Sequence, residues 1–213
     1  DKYIGDAIMA LYGAPTALPD HALRACRTAL RMQRRLRDLD REWSEQGKPW
    51  LRMRIGINTG TPVVGNIGGE KRFDYTALGD AVNLGARLEP ACKIYGVEIM
   101  ISGNTREQVG DGIIVRELEL LAVYGKAEPV PVFELAGLAG EDLGERAELF
   151  GHFEQGLHAY RNRDFELATK YFEAASRIVP TDGPTLLYLE RCQEYLVNPP
   201  SEAWDAVERR QVK

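Results

Sequence analysis

The chain has 213 residues, 44% hydrophobic and 28% charged, with a net charge of -5; that suits one or two soluble domains with a real hydrophobic core. The acidic balance argues against a general nucleic-acid binder, while leaving room for a local basic site that takes a phosphate ligand. No apolar run approaches the ~18 residues a membrane-spanning helix needs, and no signal-like N-terminus is visible.

In chain order, DKYIGDAIMALYGAP pinches two short β-type runs, 2–4 and 7–12, around Gly5-Asp6, as a hairpin turn does. Asp20 is placed to N-cap a long helix reaching about residue 46, with Leu23, Cys26, Leu30, Leu36, Leu39 and Trp43 near helical spacing. LRMRIGINTG alternates apolar and polar residues and predicts a half-buried strand, with TPVVGNIGG as its partner strand. GDAVNLGARLEPACKIYG predicts a helix closed by Gly96. VEIMIS predicts a strand, NTREQV a short helix, and 113–123 and 129–135 two further strands. The interleaving predicts an α+β fold, a mixed and mostly antiparallel sheet flanked by helices.

Composition shifts near residue 136. The Gly/Ala/acidic stretch 137–146 reads as a linker, followed by an all-α tail over 147–198 and a C-terminal extension over 199–213. Two helices joined at Asn162-Arg163-Asp164 resemble one tetratricopeptide unit, with Gly156, Ala159, Tyr160, Ala168, Phe172 and Ala175 as packing positions and a third helix after Pro180. One such unit cannot bury both faces alone, so it is expected to pack on something. The cysteines Cys26, Cys92 and Cys192 have neither CxxC nor zinc spacing, which suits reduced, buried thiols in a cytosolic setting.

There is no GxxxxGK[ST] phosphate loop, no HExxH and no GxSxG, and the three histidines are scattered. Instead there are three separated pieces: KYIGDAIMA, RIGINTGTPVVGNIG and RFDYTALGDAVNLGARLE. In this order and spacing, residues 1–136 resemble the catalytic domain of class III nucleotide cyclases, the adenylate and guanylate cyclase family, whose core is a ferredoxin-like cyclase fold. The resemblance implies phosphoryl transfer: the ribose 3′-hydroxyl attacks the α-phosphorus and pyrophosphate leaves, with hard divalent cations neutralising charge. It implies Mg2+ or Mn2+, two ions per site, and ATP as the substrate.

On this resemblance Asp6, at the hairpin tip, is a metal ligand, and the second metal aspartate is expected upstream of this chain. These residues alone are therefore expected to be inactive or feeble. Lys2 corresponds to the lysine that donates to adenine, which suits an ammonium facing the acceptor N1. Thr76 stands where many members carry an adenine-contacting aspartate. Asn83 and Arg87, spaced i, i+4 and so on one helix face, correspond to groups that orient the ribose and stabilise the transition state. The terminal-phosphate lysine of many members is replaced by Tyr124, with Lys126 as a substitute. Because one chain carries both sets of site residues, a homodimer with sites at the subunit interface is expected.

The alternatives are a guanylate cyclase, which Lys2 opposes because guanine N1 is a donor, and a catalytically inactive nucleotide-binding or interaction module. A helical-repeat scaffold is a third, with the tail docking a protein partner. The catalytic domain is expected to be cytoplasmic, with any membrane anchor in an upstream region.

Overall fold

The computed structural model describes residues 1–69, 72–122 and 128–209. In chain order its elements are β1 (Lys2–Ile4), β2 (Ala7–Met9), α1 (His21–Ser44), β3 (Ile55–Ile57), β4 (Val63–Gly69), β5 (Arg72–Leu78), α2 (Asp80–Tyr95), β6 (Ile99–Ser102), α3 (Gly103–Val109), β7 (Ile113–Leu121), β8 (Val130–Leu138), α4 (Glu145–Arg161), α5 (Phe165–Ile178), α6 (Gly183–Val197) and β9 (Val207–Glu208). Five strands form a mixed sheet in the order β3-β6-β8-β7-β9, and β1-β2 and β4-β5 are separate antiparallel ribbons.

The sheet is covered on both faces, and β6 shows how. Its four residues are all buried, because alternate side chains enter different layers. Ile99 and Ile101 join Cys26, Ala29 and Leu30 of α1 on one side. Met100 joins Leu84, Leu88, Ala91 and Tyr95 of α2 on the other. This is the expected α+β class. Asp20 does precede α1 but gives no side-chain cap; its carboxylate instead accepts from Arg24 Nε at 2.7 Å.

The expected pairing of RIGIN with TPVVGNIGG is corrected. β3 pairs in parallel with β6, through Ile55↔Ile99 to Ile57↔Ile101, and β4 pairs with β5, a strand that the sequence reading had not assigned. Gly60 lies against Ala81 of α2, where a Cβ would come within 2.7 Å of the alanine's, so the chain leaves the sheet there instead of turning back along β3. The second run of the hairpin is also shorter than expected, ending at Met9.

The tail packs on the sheet. β8 continues to Leu138 and α4 begins at Glu145. Gly156 lets α5 approach α4, since a Cβ there would stand 2.7 Å from the Phe172 ring, and Phe153, Tyr160, Phe165 and Tyr188 complete an aromatic core. Two ionic clusters weld this unit to β7. Arg116 pairs with Glu134 at 2.6 Å and Asp182 at 2.7 Å, and Arg191 pairs with Glu119 and, at 2.6 Å, with Glu208. The tail is helical as expected, and the C-terminal extension beyond it adds β9 as a parallel edge strand beside β7.

All three cysteines are buried and free. Burial pushes the thiols of Cys26 and Cys92 up to about 12 and that of Cys192 to about 11, the range of inert packing groups. Among the described residues no helix is long and apolar enough to cross a membrane.

Candidate active site

Lys2 and Asp6 sit on the β1-β2 ribbon, whose register pairs Lys2 with Met9 and Ile4 with Ala7. Gly5 supplies the turn with φ of 62°, a left-handed conformation that a side chain would strain. Asp6 follows it, exposed and without a hydrogen-bond or ion-pair partner among the described residues. A carboxylate left open at a glycine turn is free to accept a cation.

Thr76 lies on β5, far along the chain, yet the fold brings it to Lys2. Its hydroxyl donates to Asp1 Oδ2 at 2.5 Å, and Lys2 Nζ stands 3.8 Å from Asp1 Oδ1. The Asp1 side chain is 2% exposed and Lys2 37%. One carboxylate thus gathers a hydroxyl and an ammonium from two ribbons. Asp1 was not singled out from the sequence, because nothing in its spacing points across to β5.

Asn83 and Arg87 ride on α2, each just before a buried leucine, Leu84 and Leu88, which are 2% and 0% exposed. Asn83 is exposed and Arg87 half-buried, and neither side chain has a hydrogen-bond or ion-pair partner among the described residues. A half-buried guanidinium without a protein anion is ready for an anionic ligand. The seat of α2 is set by β3. At Gly56 a Cβ would stand 2.5 Å from Glu89 N, so only glycine lets the helix lie this close. Asn58 ties the end of β3 to the first turn of α2, donating to Ala81 O at 2.7 Å while accepting from Ser102 Oγ at 2.6 Å. Asn58 was missed as well; its only sequence signal was a polar residue closing an apolar strand.

The structure thus joins Lys2 and Thr76 through Asp1, while Asp6 stands at the hairpin tip and Asn83 and Arg87 on α2. Residues 2–133 match the family model described as adenylate and guanylate cyclase catalytic domain. The chain belongs to this cyclase family.

Relatives and solved structures agree with that membership. The terminal-differentiation-specific adenylate cyclase of Dictyostelium discoideum is 35% identical over 196 residues, 90% of this chain and 9% of that protein. The chain thus spans a small part of this curated relative. The guanylyl cyclase Cya2 is 38% identical with a TM-score of 0.58, over 67% of this chain and 72% of its own. The adenylyl cyclase CyaB of P. aeruginosa is 34% identical with a TM-score of 0.58, over 68% and 74%.

Cyclase domains depend on divalent metal, and the residues here fit a hard cation. Among the described residues no group of three or more His, Cys, Asp or Glu side chains could form a closed cage. Asp6 is a single open carboxylate, which suits an ion that takes one or two carboxylates and completes its shell with water and substrate phosphates. Tyr124 and Lys126, the positions expected at the terminal phosphates, lie outside the described residues.

Proposed function

We propose that this cyclase domain converts ATP to 3′,5′-cyclic AMP and pyrophosphate. The observation that carries the reading is the joining of Lys2 and Thr76 on the Asp1 carboxylate. Lys2 donates to adenine N1 and the Thr76 oxygen accepts from the adenine amino group. Asn83 orients the ribose, so that its 3′-hydroxyl faces the α-phosphorus. Arg87 stabilises the charge that builds on the α-phosphoryl oxygens as pyrophosphate leaves. Asp6 holds divalent metal, Mg2+ or Mn2+ with two ions per site, which when bound lowers the charge barrier to the 3′-hydroxyl's attack. Lys126 contacts the terminal phosphates.

The site is assembled between two copies of the chain. Supporting this, Tyr3, Ile8, Val63 and Phe73 are 81%, 64%, 72% and 60% exposed on the two ribbons that carry Lys2, Asp6 and Thr76, an apolar surface that asks for a cover. The tail is one tetratricopeptide-like unit docked on its own cyclase sheet, with a face left for a protein partner. The similarity to the Dictyostelium cyclase over 90% of this chain supports treating catalytic domain and tail as one functional piece. The free, buried thiols support a cytosolic setting.

Guanylate cyclase is the second reading, favoured by the identity to Cya2 and opposed by Lys2. Incubating the purified full-length protein with ATP or GTP and Mn2+ and measuring the cyclic product separates them. Cyclic AMP as the main product, with Lys2→Glu moving the preference toward GTP, is expected. Nucleotide binding without either product would make it an inactive module and overturn the proposal.

A further inference from the structure

Asp1 has no place in the chemistry above, yet its side chain is among the least exposed carboxylates of the described residues. Only 2% of that side chain is exposed, although its backbone is accessible. Burying a carboxylate is costly unless it is paired and hydrogen-bonded, and its partners here are two residues assigned to the purine. The backbone nitrogen of Asp1 donates to Met9 O at 2.9 Å, which holds it at the mouth of the β1-β2 ribbon. Its two oxygens are divided: Oδ2 accepts from the Thr76 hydroxyl at 2.5 Å, and Oδ1 faces Lys2 Nζ at 3.8 Å.

A threonine hydroxyl has one proton to give and two lone pairs. Unconstrained, it rotates to suit either kind of neighbour, so it cannot by itself distinguish the amino group of adenine from the O6 carbonyl of guanine. An ionised carboxylate has no proton, so the short contact fixes the direction of the bond: Thr76 donates to Asp1. The proton is then committed, and what remains for a ligand is an oxygen that only accepts. That surface matches the adenine amino group and opposes the guanine carbonyl. The same carboxylate draws the Lys2 ammonium beside Thr76, so donor and acceptor are presented in the order that adenine N1 and N6 require.

We propose that Asp1 is a specificity-determining positioning residue: it locks the Thr76 hydroxyl as an acceptor and thereby selects adenine over guanine. The inference rests on the reading of Lys2 and Thr76 as the purine contacts. It makes Asp1 act through Thr76 without touching substrate, and it explains how a threonine can stand where an obligate acceptor is needed.

The test compares the parent with Asp1→Asn, Thr76→Ala and the double variant. Turnover of ATP and GTP is read alongside the affinity for fluorescent N-methylanthraniloyl ATP and GTP. Asn is nearly isosteric, but its amide can donate to Thr76 and turn the hydroxyl proton outward. Asp1→Asn is therefore expected to lower the ATP-over-GTP preference about tenfold, the discrimination carried by one hydrogen bond, mainly through KM for ATP. In the Thr76→Ala background the same change should have no further effect on the preference, and Thr76→Ser should keep both the preference and its sensitivity to Asp1. Equal losses for both nucleotides, or the same drop in preference without the hydroxyl, would show a merely structural carboxylate and overturn the inference. If Asp1→Asn does not fold, Asp1→Ser, whose hydroxyl can also donate, carries the same comparison. A parent that binds the ATP probe preferentially but makes no product would refute the cyclase reading, and the binding ratios would still decide the role of Asp1. A parent that binds both probes equally would refute the role itself.

Discussion

Gly56 of β3 lies so close under α2 that a Cβ added to it would stand 2.5 Å from the backbone nitrogen of Glu89 and 2.6 Å from the Gly85 oxygen. Neither atom can rotate away, so Gly56→Ala must push the helix off the sheet. Such overpacking typically costs about 1–3 kcal/mol, a fall of several degrees in Tm for a chain of this size. Gly151→Ala in α4 meets nothing within 4 Å and should leave Tm unchanged or raise it through helix propensity. Since Asn83 and Arg87 travel with α2, Gly56→Ala should also depress turnover. Thermal melts and product assays of the two variants check this, and a neutral Gly56→Ala would refute the tight seat.

Arg87 has no anionic partner in the protein among the described residues, so its loss should cost catalysis and spare the fold. Arg87→Ala is expected to lower kcat by about 10²–10³, as removal of one preorganised donor does, with KM for nucleotide changed little. Melting curves should overlay those of the parent. A large fall in Tm would show that Arg87 is a packing residue, and an unchanged kcat would remove it from the site.

Asp6 stands exposed at the Gly5 turn, where amide replacement keeps the shape but removes the negative charge that a hard cation needs. Asp6→Asn should raise the Mn2+ concentration for half-maximal activity by tenfold or more, while nucleotide affinity measured without metal stays the same. Chelation of the metal in the parent should abolish product formation. An unchanged metal titration would exclude Asp6 as a ligand.

The sequence disclosed most elements because their apolar spacing is local: α1, α2 and the β1-β2 hairpin follow from 3.6- and 2-residue periods and from Gly5 and Gly96. It misled where pairing was decided over distance. β3 is only three residues long, and what it pairs with depends on Gly56 and Gly60 admitting α2, a packing relation absent from any window of β3 itself. The residues of the candidate site were visible as separated motifs, but Asp1 and Asn58 were not. Each gains its meaning from partners across the fold, Asp1 from Thr76 and Asn58 from Ala81 and Ser102. Nor did composition hint that Arg116 and Arg191 would fasten the tail to the sheet, because a buried ion pair looks in sequence like any two charged residues.

That fastening has a pH signature at Asp182. Burial alone would raise its carboxyl, but the hydrogen bonds and charge of Arg116, with Thr185 at the start of α6, bring it below its ordinary value of 3.8. A carboxyl with a lowered folded-state value contributes stability that is complete above the unfolded-state value and is lost as pH falls through the folded one. Asp182→Asn keeps a competent helix cap and removes the charged hydrogen bonds to Arg116, which carry about 1.5–3 kcal/mol. The variant should therefore melt below the parent at pH 7, by a margin constant down to about pH 4. Below that the two curves should converge as the parent's carboxyl takes up its proton. Melts of both proteins between pH 7 and 3 check this. A margin that persists undiminished at pH 3 would mean that the difference between the two proteins does not come from the ionised Asp182 carboxylate.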